Sequence, residues 1–340
     1  MIRFSSALRR AKAALQFLLG VAIVVALGLG AYKLTPRPKP PTGWIHVLGP
    51  GDTLTLAQHA GEIWAGGPEG LSGIDLRTAE VRLIAPSGLP LEQVACIHTS
   101  GEETWVGHKR GVSRFDGKAW TTWTDSDGLP DRQVWAVRKL RDGTVWVGTE
   151  RGAAKWVSDH WEVLTSRNGP ANDAVTVLFE DSRGRIWLGN GLTMAGGLSV
   201  LEAGAWKTFG APNELPHAMV NGIAEDAQGN IWVGTGFSSR GGAAHFDGSR
   251  WTSILKRDGL AGDKVRSVFV DGAGAVWFGA EYDGAARLDG ARWSYLATTS
   301  GLPGNEVKAM VQDTDGNLWF GTERGIGRLA AGASAPGQSP

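Results

Sequence analysis

The sequence contains few of the residues that usually signal a particular chemistry. Cysteine occurs once in 340 residues, and the place of Cys96 in a predicted inner strand indicates a small buried hydrophobe rather than a nucleophile. The seven histidines do not recur at metal-ligand spacing. The segment 313–317 resembles the opening of a calcium loop but lacks the bidentate glutamate that should follow, so a hairpin turn is predicted there instead. We therefore predict no metal, no cofactor and no catalytic residue.

Acidic residues are absent from residues 1–39, although the formal net charge of the whole chain is zero. Seven of the 34 basic residues lie in that stretch, which leaves 27 against all 34 acidic residues in the remainder, a net charge of −7. A surface of that sign does not favour phosphate backbones, so nucleic acid is not an expected partner.

A membrane segment is predicted at the N-terminus. Residues 1–12 are basic and predicted to be cytoplasmic, and residues 13–32 are almost entirely apolar and long enough to cross a bilayer as a helix. We favour an uncleaved signal anchor, while small residues at Gly28-Leu29-Gly30 leave a cleaved signal peptide as the alternative. Residues 33–43 form a stiff proline-rich linker. The predicted location is therefore a single-pass inner-membrane protein with the rest of the chain in the periplasm or outside.

A repeat fills the rest of the chain. A tryptophan two residues before a glycine recurs seven times at intervals of 41 to 45 residues, at Trp64, Trp105, Trp146, Trp187, Trp232, Trp277 and Trp319. This spacing is typical of a four-stranded blade, and it predicts an all-β, seven-bladed propeller over residues 44–330, followed by a disordered tail at 331–340. The last copy lacks an outer strand. The segment Trp44-Ile45-His46-Val47 has the pattern of that strand and is predicted to close the ring by pairing with Gly325–Leu329.

The connectors between copies carry a recognisable motif, seen for example in Gly128-Leu129-Pro130 and Gly301-Leu302-Pro303. After three intervening residues comes a valine, then Asp-x-x-Gly, Leu-Trp-x-Gly-Thr and Gly-Leu-x-Arg. This pattern resembles the two-component regulator propeller repeat over roughly residues 44–329. The resemblance implies a periplasmic or extracellular sensing ring, often fused through a membrane helix to a histidine kinase. No kinase segment is recognised in this sequence, so a separate signalling or envelope complex is an expected partner.

The expected binding surface is the face that carries the inserted loops. Length varies between the second and fourth strands of each copy, and the extra residues fall in copies four to six at 190–197, 235–242 and 280–284. Connectors into the first strand emerge on the same face, where the position after the leading valine is variable and often polar. The candidate partner-binding residues are Trp135, Asn221, Arg266, Lys308, Met194, Phe237, Arg240 and Tyr282. The alternative for each is a solvated loop residue or a blade-packing aromatic.

Three functions remain open from the sequence. The favoured one is a membrane-anchored, non-catalytic propeller that binds a glycan, peptide or protein outside the cytoplasm, as sensor input or assembly scaffold. A propeller lyase is the second, because streptogramin-lyase-like propellers have similar repeats and place a histidine on this face, for which His108 or His217 would serve with Glu281 or Glu323. The third is a structural subunit of a membrane complex.

Overall fold

A computed structural model describes residues 40–333, apart from 48, 50, 87, 88, 90 and 192–195. The described residues form seven four-stranded antiparallel sheets, in each of which neighbouring strands are hydrogen-bonded in the order A, B, C, D. This confirms the seven-bladed propeller. Among these residues no helix has the length and apolar character needed to span a membrane. The predicted cytoplasmic segment, the membrane helix at 13–32 and most of the linker lie outside the described residues.

The strands run from the inner strand A to the outer strand D in each blade. Blades one to three comprise β2 (Thr55–His59), β3 (Glu62–Gly67), β4 (Gly70–Asp75) and β5 (Val81–Ile84); β6 (Cys96–Ser100), β7 (Glu103–His108), β8 (Gly111–Phe115) and β9 (Trp120–Trp123); and β10 (Val134–Lys139), β11 (Val145–Thr149), β12 (Gly152–Val157) and β13 (His160–Leu164). Blades four and five comprise β14 (Val177–Glu180), β15 (Ile186–Gly189), β16 (Leu198–Glu202) and β17 (Ala205–Phe209); and β18 (Val220–Glu225), β19 (Ile231–Phe237), β20 (Arg240–Phe246) and β21 (Trp251–Ile254). Blade six comprises β22 (Val265–Val270), β23 (Val276–Ala280), β24 (Ala285–Asp289) and β25 (Arg292–Leu296), and blade seven comprises β26 (Val307–Gln312), β27 (Leu318–Thr322), β28 (Gly325–Leu329) and β1 (Trp44–Val47). Single 3₁₀ turns at Asp125–Asp127, Lys256–Asp258 and Thr298–Ser300 lie in connectors from strand D to strand A.

The ring closes through its first strand. β1 pairs antiparallel with β28, with Trp44 opposite Leu329 and Val47 opposite Ile326, as predicted from the sequence. Trp44 is buried, and its ring centroid lies 5.7 Å from that of Phe320. Because the outer strand of blade seven comes from the start of the repeat array, the two ends of the array hold each other in place.

The glycine of each Trp-x-Gly motif allows neighbouring blades to approach. A Cβ on Gly234 of blade five would lie 2.6 Å from a methyl carbon of Val265, the first residue of the inner strand of blade six. A Cβ on Gly148 would likewise lie 2.5 Å from the carbonyl oxygen of Val175 in the next blade. The tryptophan before each glycine is buried between blades, as in the 5.5 Å centroid contact of Trp277 with Phe320. Each such ring removes roughly 150–250 Å² from water, so the motif accounts for much of the core.

The Asp-x-x-Gly motif closes the turn between strands A and B in blades four to seven. In blade seven the Asp313 carboxylate accepts backbone N–H groups of Asp315 and Asn317 and the indole N–H of Trp319 at 2.8 Å. The same indole bond, 2.7–2.8 Å long, is made in the other three blades by Asp181, Asp226 and Asp271. The predicted hairpin turn at 313–317 is confirmed, and its aspartate also fixes the core tryptophan.

Candidate functional site

Connections from D to A and from B to C emerge at the same end of the ring, here named the upper face. In blade five the Gly236 N–H donates to the carbonyl of Met219 at 2.9 Å, and in blade six the Glu281 N–H donates to the carbonyl of Lys264 at 3.3 Å. Each bond joins a B–C connection to a D–A connection. The inserted loops and the upper mouth of the channel therefore share one surface, as predicted. The A–B and C–D turns lie on the opposite, lower face.

The variable position in strand A is a β-bulge. The pairing of strands A and B shifts register at Trp135, Asn221, Arg266 and Lys308 in blades three, five, six and seven. A bulged residue stands outside the ladder and its side chain is re-aimed, which is why bulges are common beside functional sites. Four of the predicted residues therefore occupy one structural position at the upper end of the inner strands. In the other blades that position belongs to Leu54, Ala95 and Thr176.

Three of these four bulged residues are engaged in contacts between blades. The Asn221 amide donates to the carbonyls of Gly236 and Val265, both at 2.9 Å, and so joins blades five and six. Arg266 pairs with Glu306 at 3.0 Å. Lys308 bonds to Asp52 at 2.5 Å and pairs with Glu306 at 3.3 Å, which links blades six, seven and one at the upper mouth.

Trp135 differs from the other bulged residues. Its indole Nε1 is buried and has no hydrogen-bond partner within the described part of the chain. An unsatisfied donor of this kind usually calls for an explanation, and a ligand acceptor at the mouth would supply one.

The B–C connections of blades five and six carry exposed aromatic residues. Phe237 is 53% exposed and Tyr282 is 69% exposed. The nearby charge of Glu281 raises the pKa of Tyr282. Phe237 pairs with Arg240 at the end of a two-residue hairpin, so the insertion predicted as a loop at 235–242 is an extension of β19 and β20. Glycines permit this extension, because a Cβ on Gly241 would lie 2.5 Å from the Cα of Gly236. Met194 falls among residues 192–195, outside the described part.

The two histidines named for the lyase hypothesis do not bond to a carboxylate among the described residues. His108 is buried, with Nε2 2.8 Å from the Ser113 hydroxyl and Nδ1 accepting the Arg110 N–H, and burial lowers its pKa to about 4. His217 accepts the Met219 N–H at 3.0 Å, and its pKa is lowered by burial and by the charges of Arg240 and Lys264. Both imidazole rings are therefore used in local hydrogen bonds, His108 within its own hairpin and His217 to the nearby backbone.

A cavity of about 590 Å³ opens at the lower mouth of the channel. It is lined by three consecutive residues from each of three adjacent inner strands, 178–180, 223–225 and 268–270, together with Arg138, Arg141 and Ser182. None of these residues is among the sequence candidates. In blades three, five and six the bulge at the start of strand A shifts the alternation of the following residues by one, so a simple period of two misplaces the side chains that these strands direct to the cavity.

Most charged groups of the lower mouth are already engaged. Glu180 accepts the N–H of Arg141 at 3.0 Å and pairs with its guanidinium at 3.3 Å. Glu225 accepts both the N–H and the hydroxyl of Ser182, at 2.7 and 2.6 Å. Each glutamate thereby ties its own blade to the turn of the preceding one. Arg138 makes no ion pair or hydrogen bond in the described part, and its guanidinium lies 5.2 Å from the centroid of Phe179.

Comparisons with known proteins agree with this architecture. The family model described as "Two component regulator propeller" matches residues 128–151, 169–191, 214–237 and 301–324, each of which spans a D–A connector and the A and B strands of one blade. No curated protein matches the sequence.

Solved structures share the fold at low sequence identity. The extracellular domain of a hybrid two-component system from B. thetaiotaomicron is 20% identical with a TM-score of 0.69, and the match covers 83% of this chain and 40% of that one. An inactive variant of virginiamycin B lyase from Staphylococcus aureus, with quinupristin, is 14% identical with a TM-score of 0.66, and the match covers 84% of this chain and 98% of that one. PorZ of Porphyromonas gingivalis, a bacterial surface component of the type-IX secretion system, is 14% identical with a TM-score of 0.64, and the match covers 88% of this chain and 49% of that one. This chain thus spans about 40% of the length of the two-component structure.

Proposed function

We propose that this chain, a seven-bladed ring built from two-component regulator propeller repeats, is a membrane-anchored, non-catalytic binding protein. Its upper face takes a protein, peptide or glycan partner outside the cytoplasm. The bound ring then serves as the input of a sensor or as a scaffold for an envelope complex. The extracellular location of the B. thetaiotaomicron domain and the surface location of PorZ support this assignment by analogy of fold.

The observation that carries the proposal is the ring of equivalent strand-A positions at the upper mouth, which are bulged in four of the seven blades. Seven equivalent positions on one repeated scaffold hold Leu54, Ala95, Trp135, Thr176, Asn221, Arg266 and Lys308. Residues that served only the architecture would repeat from blade to blade. The variation of side chains at this position on a constant framework therefore suits recognition of a partner. The exposed rings of Phe237 and Tyr282 stand on the same face, where large apolar groups favour a partner.

Binding is tested with a double variant, Phe237→Ser with Tyr282→Ser, in the full-length chain. We expect the wild-type chain to retain a partner from an envelope extract or a glycan array, and the double variant to bind it at least about tenfold more weakly, because two aromatic anchors are lost. Leu83→Ser is the matched control, since Leu83 is 67% exposed on the outer strand of blade one. Equal losses in the control and the double variant, or no retained partner, would contradict the proposal.

Location is tested by labelling a single introduced thiol. Phe237→Cys places a cysteine on the upper face, whereas the native Cys96 is half-buried and desolvation raises its thiol pKa to about 12, so it holds little of the reactive thiolate. A membrane-impermeant maleimide should label the variant, but not the wild-type chain, in spheroplasts. Labelling only after lysis would place the ring in the cytoplasm. Retention of the label in the carbonate-washed membrane fraction tests the proposed anchor at 13–32.

A further inference from the structure

We propose that the lower mouth of the channel is a second binding site, which takes a small organic carboxylate with an apolar body. The anion would meet the guanidinium of Arg138, and the apolar body would lie against Phe179 and Phe269. This proposal is independent of the partner bound at the upper face.

Arg138 supplies the anion-binding group. It lines the cavity, its Nε is buried without a hydrogen-bond partner, and no carboxylate of the described residues pairs with it. A cation removed from water without a partner is costly, and the usual compensation is a bound anion or an ion pair. Burial lowers the pKa of Arg138 and outweighs the opposing effect of the Glu180 charge, which agrees with a guanidinium that is short of hydration.

The neighbouring charges do not fill that role. Glu180 is directed to Arg141 at 3.3 Å, and Glu225 is directed to Ser182. Arg141 is itself held, because its guanidinium donates to the carbonyls of Asp181 and Ser182. The lower mouth therefore offers one unengaged cation within the described residues, and a single carboxylate matches it in charge. The planar fork of arginine suits a carboxylate through two parallel hydrogen bonds.

The size and lining of the cavity favour a small molecule. A volume of about 590 Å³ lies within the usual range of small-molecule sites, roughly 300–1,000 Å³. Beyond Arg138 the wall has an apolar part, formed by Phe179, Ile223, Val268 and Phe269 on successive inner strands, and a polar part whose side chains are already engaged with one another. A ligand with one charged end and one aromatic end would contact both Arg138 and the apolar part of the wall.

The probe that tests the site is phenylpropionate, compared with its neutral amide, phenylpropionamide. Isothermal titration of the full-length chain in mild detergent should show binding of the acid and at least about tenfold weaker binding of the amide, since a charge-assisted bidentate contact is lost. Arg138→Gln should weaken binding of the acid by a similar factor and leave the amide unchanged. Arg138→Lys should give an intermediate affinity, because it keeps the charge but not the fork.

A second variant tests the site in case Arg138→Gln fails to fold. Val270→Glu places a carboxylate in the cavity at the position that holds Glu180 and Glu225 in two neighbouring blades, so the fold should accept it. It should abolish binding of the acid by repulsion, because it adds a negative charge to the wall of the cavity. Lys207→Gln, which removes an exposed positive charge on the outer strand of blade four, is the control and should leave binding unchanged. Equal affinity for acid and amide, no effect of Arg138→Gln, or no binding at millimolar concentrations would overturn the proposal.

Discussion

Blades four to seven and blades one to three fasten the core tryptophan of strand B in different ways. In blades four to seven an aspartate in the A–B turn accepts the indole N–H at 2.7–2.8 Å. In blade one the indole of Trp64 donates to Glu62 on its own strand at 3.1 Å, and in blade two the indole nitrogen of Trp105 is buried and has no partner among the residues that the structure describes. In blade three Leu140 stands where the aspartate would be.

The difference separates what the fold requires from what strengthens it. The tryptophan is buried in all seven blades, so packing between sheets positions it without the aspartate. The aspartate adds a link between the turn and the core, and the blades with B–C insertions, four to six, all have it. Blade seven has the link without an insertion, so the link is not confined to the blades with longer upper connections.

The largest expected effect comes from removing the most buried of these aspartates. Asp181 accepts the side chains of Arg185 at 2.6 Å and Trp187 at 2.7 Å, and both Asp181 and Arg185 are buried. Asp181→Ala leaves the arginine charge unpaired, which should reduce the free energy of unfolding by about 3–5 kcal/mol in urea denaturation. Asp142→Ala is the control, since Asp142 caps the exposed blade-three turn and its one bond within the described part of the chain is to the Thr144 N–H. This variant should cost about 1 kcal/mol or less. Similar losses of unfolding free energy in Asp181→Ala and Asp142→Ala would mean that the link to the core adds no stability.

A tryptophan pair gives a matched comparison of moderate size. Trp277 and Trp105 are 2% and 5% exposed, and each lies about as close to an arginine and to a second aromatic ring. Phenylalanine at either site removes similar packing, but only Trp277→Phe deprives an aspartate, Asp271, of its donor. Trp277→Phe should therefore lower the free energy of unfolding by about 1–2 kcal/mol more than Trp105→Phe, measured in the same urea titration. An equal or larger loss for Trp105→Phe would contradict the comparison.

A smaller effect should appear as a pH dependence at Asp226. Burial alone would raise the pKa of this carboxyl, but hydrogen bonds from Trp232, Asn230 and Gln228 outweigh it and lower the pKa. A lowered folded-state pKa gives stability that is present above the unfolded value, about 4, and is lost as pH falls through the folded value. The advantage of wild type over Asp226→Asn should be about 1 kcal/mol or less near neutral pH, because solvent screens the half-buried group, and should shrink below about pH 4. A constant difference across this range would exclude the ionic contribution.

The sequence was enough to predict the ring, its closure by Trp44–Val47 and the face that carries the insertions, because these depend on repeat spacing and strand patterns. The engagement of Lys308 with Asp52 could not be predicted, since the two residues are 256 positions apart and meet only when the ring closes. The lower cavity was missed for a different reason. The bulge at Trp135 inserts a residue into strand A, so strict alternation fails to indicate that Arg138 faces the channel.

The smallest effect on stability is expected at the upper connections themselves. Phe237 and Tyr282 stand on the B–C connections of blades whose turns are linked to the core, and both side chains are mostly exposed. Phe237→Ser and Tyr282→Ser should each change the free energy of unfolding by no more than about 0.5 kcal/mol, because little apolar area returns to water. Near-unchanged urea midpoints combined with weaker partner binding would separate recognition at the upper face from the scaffold below it. A loss above about 2 kcal/mol for either variant would instead make these aromatics part of the fold.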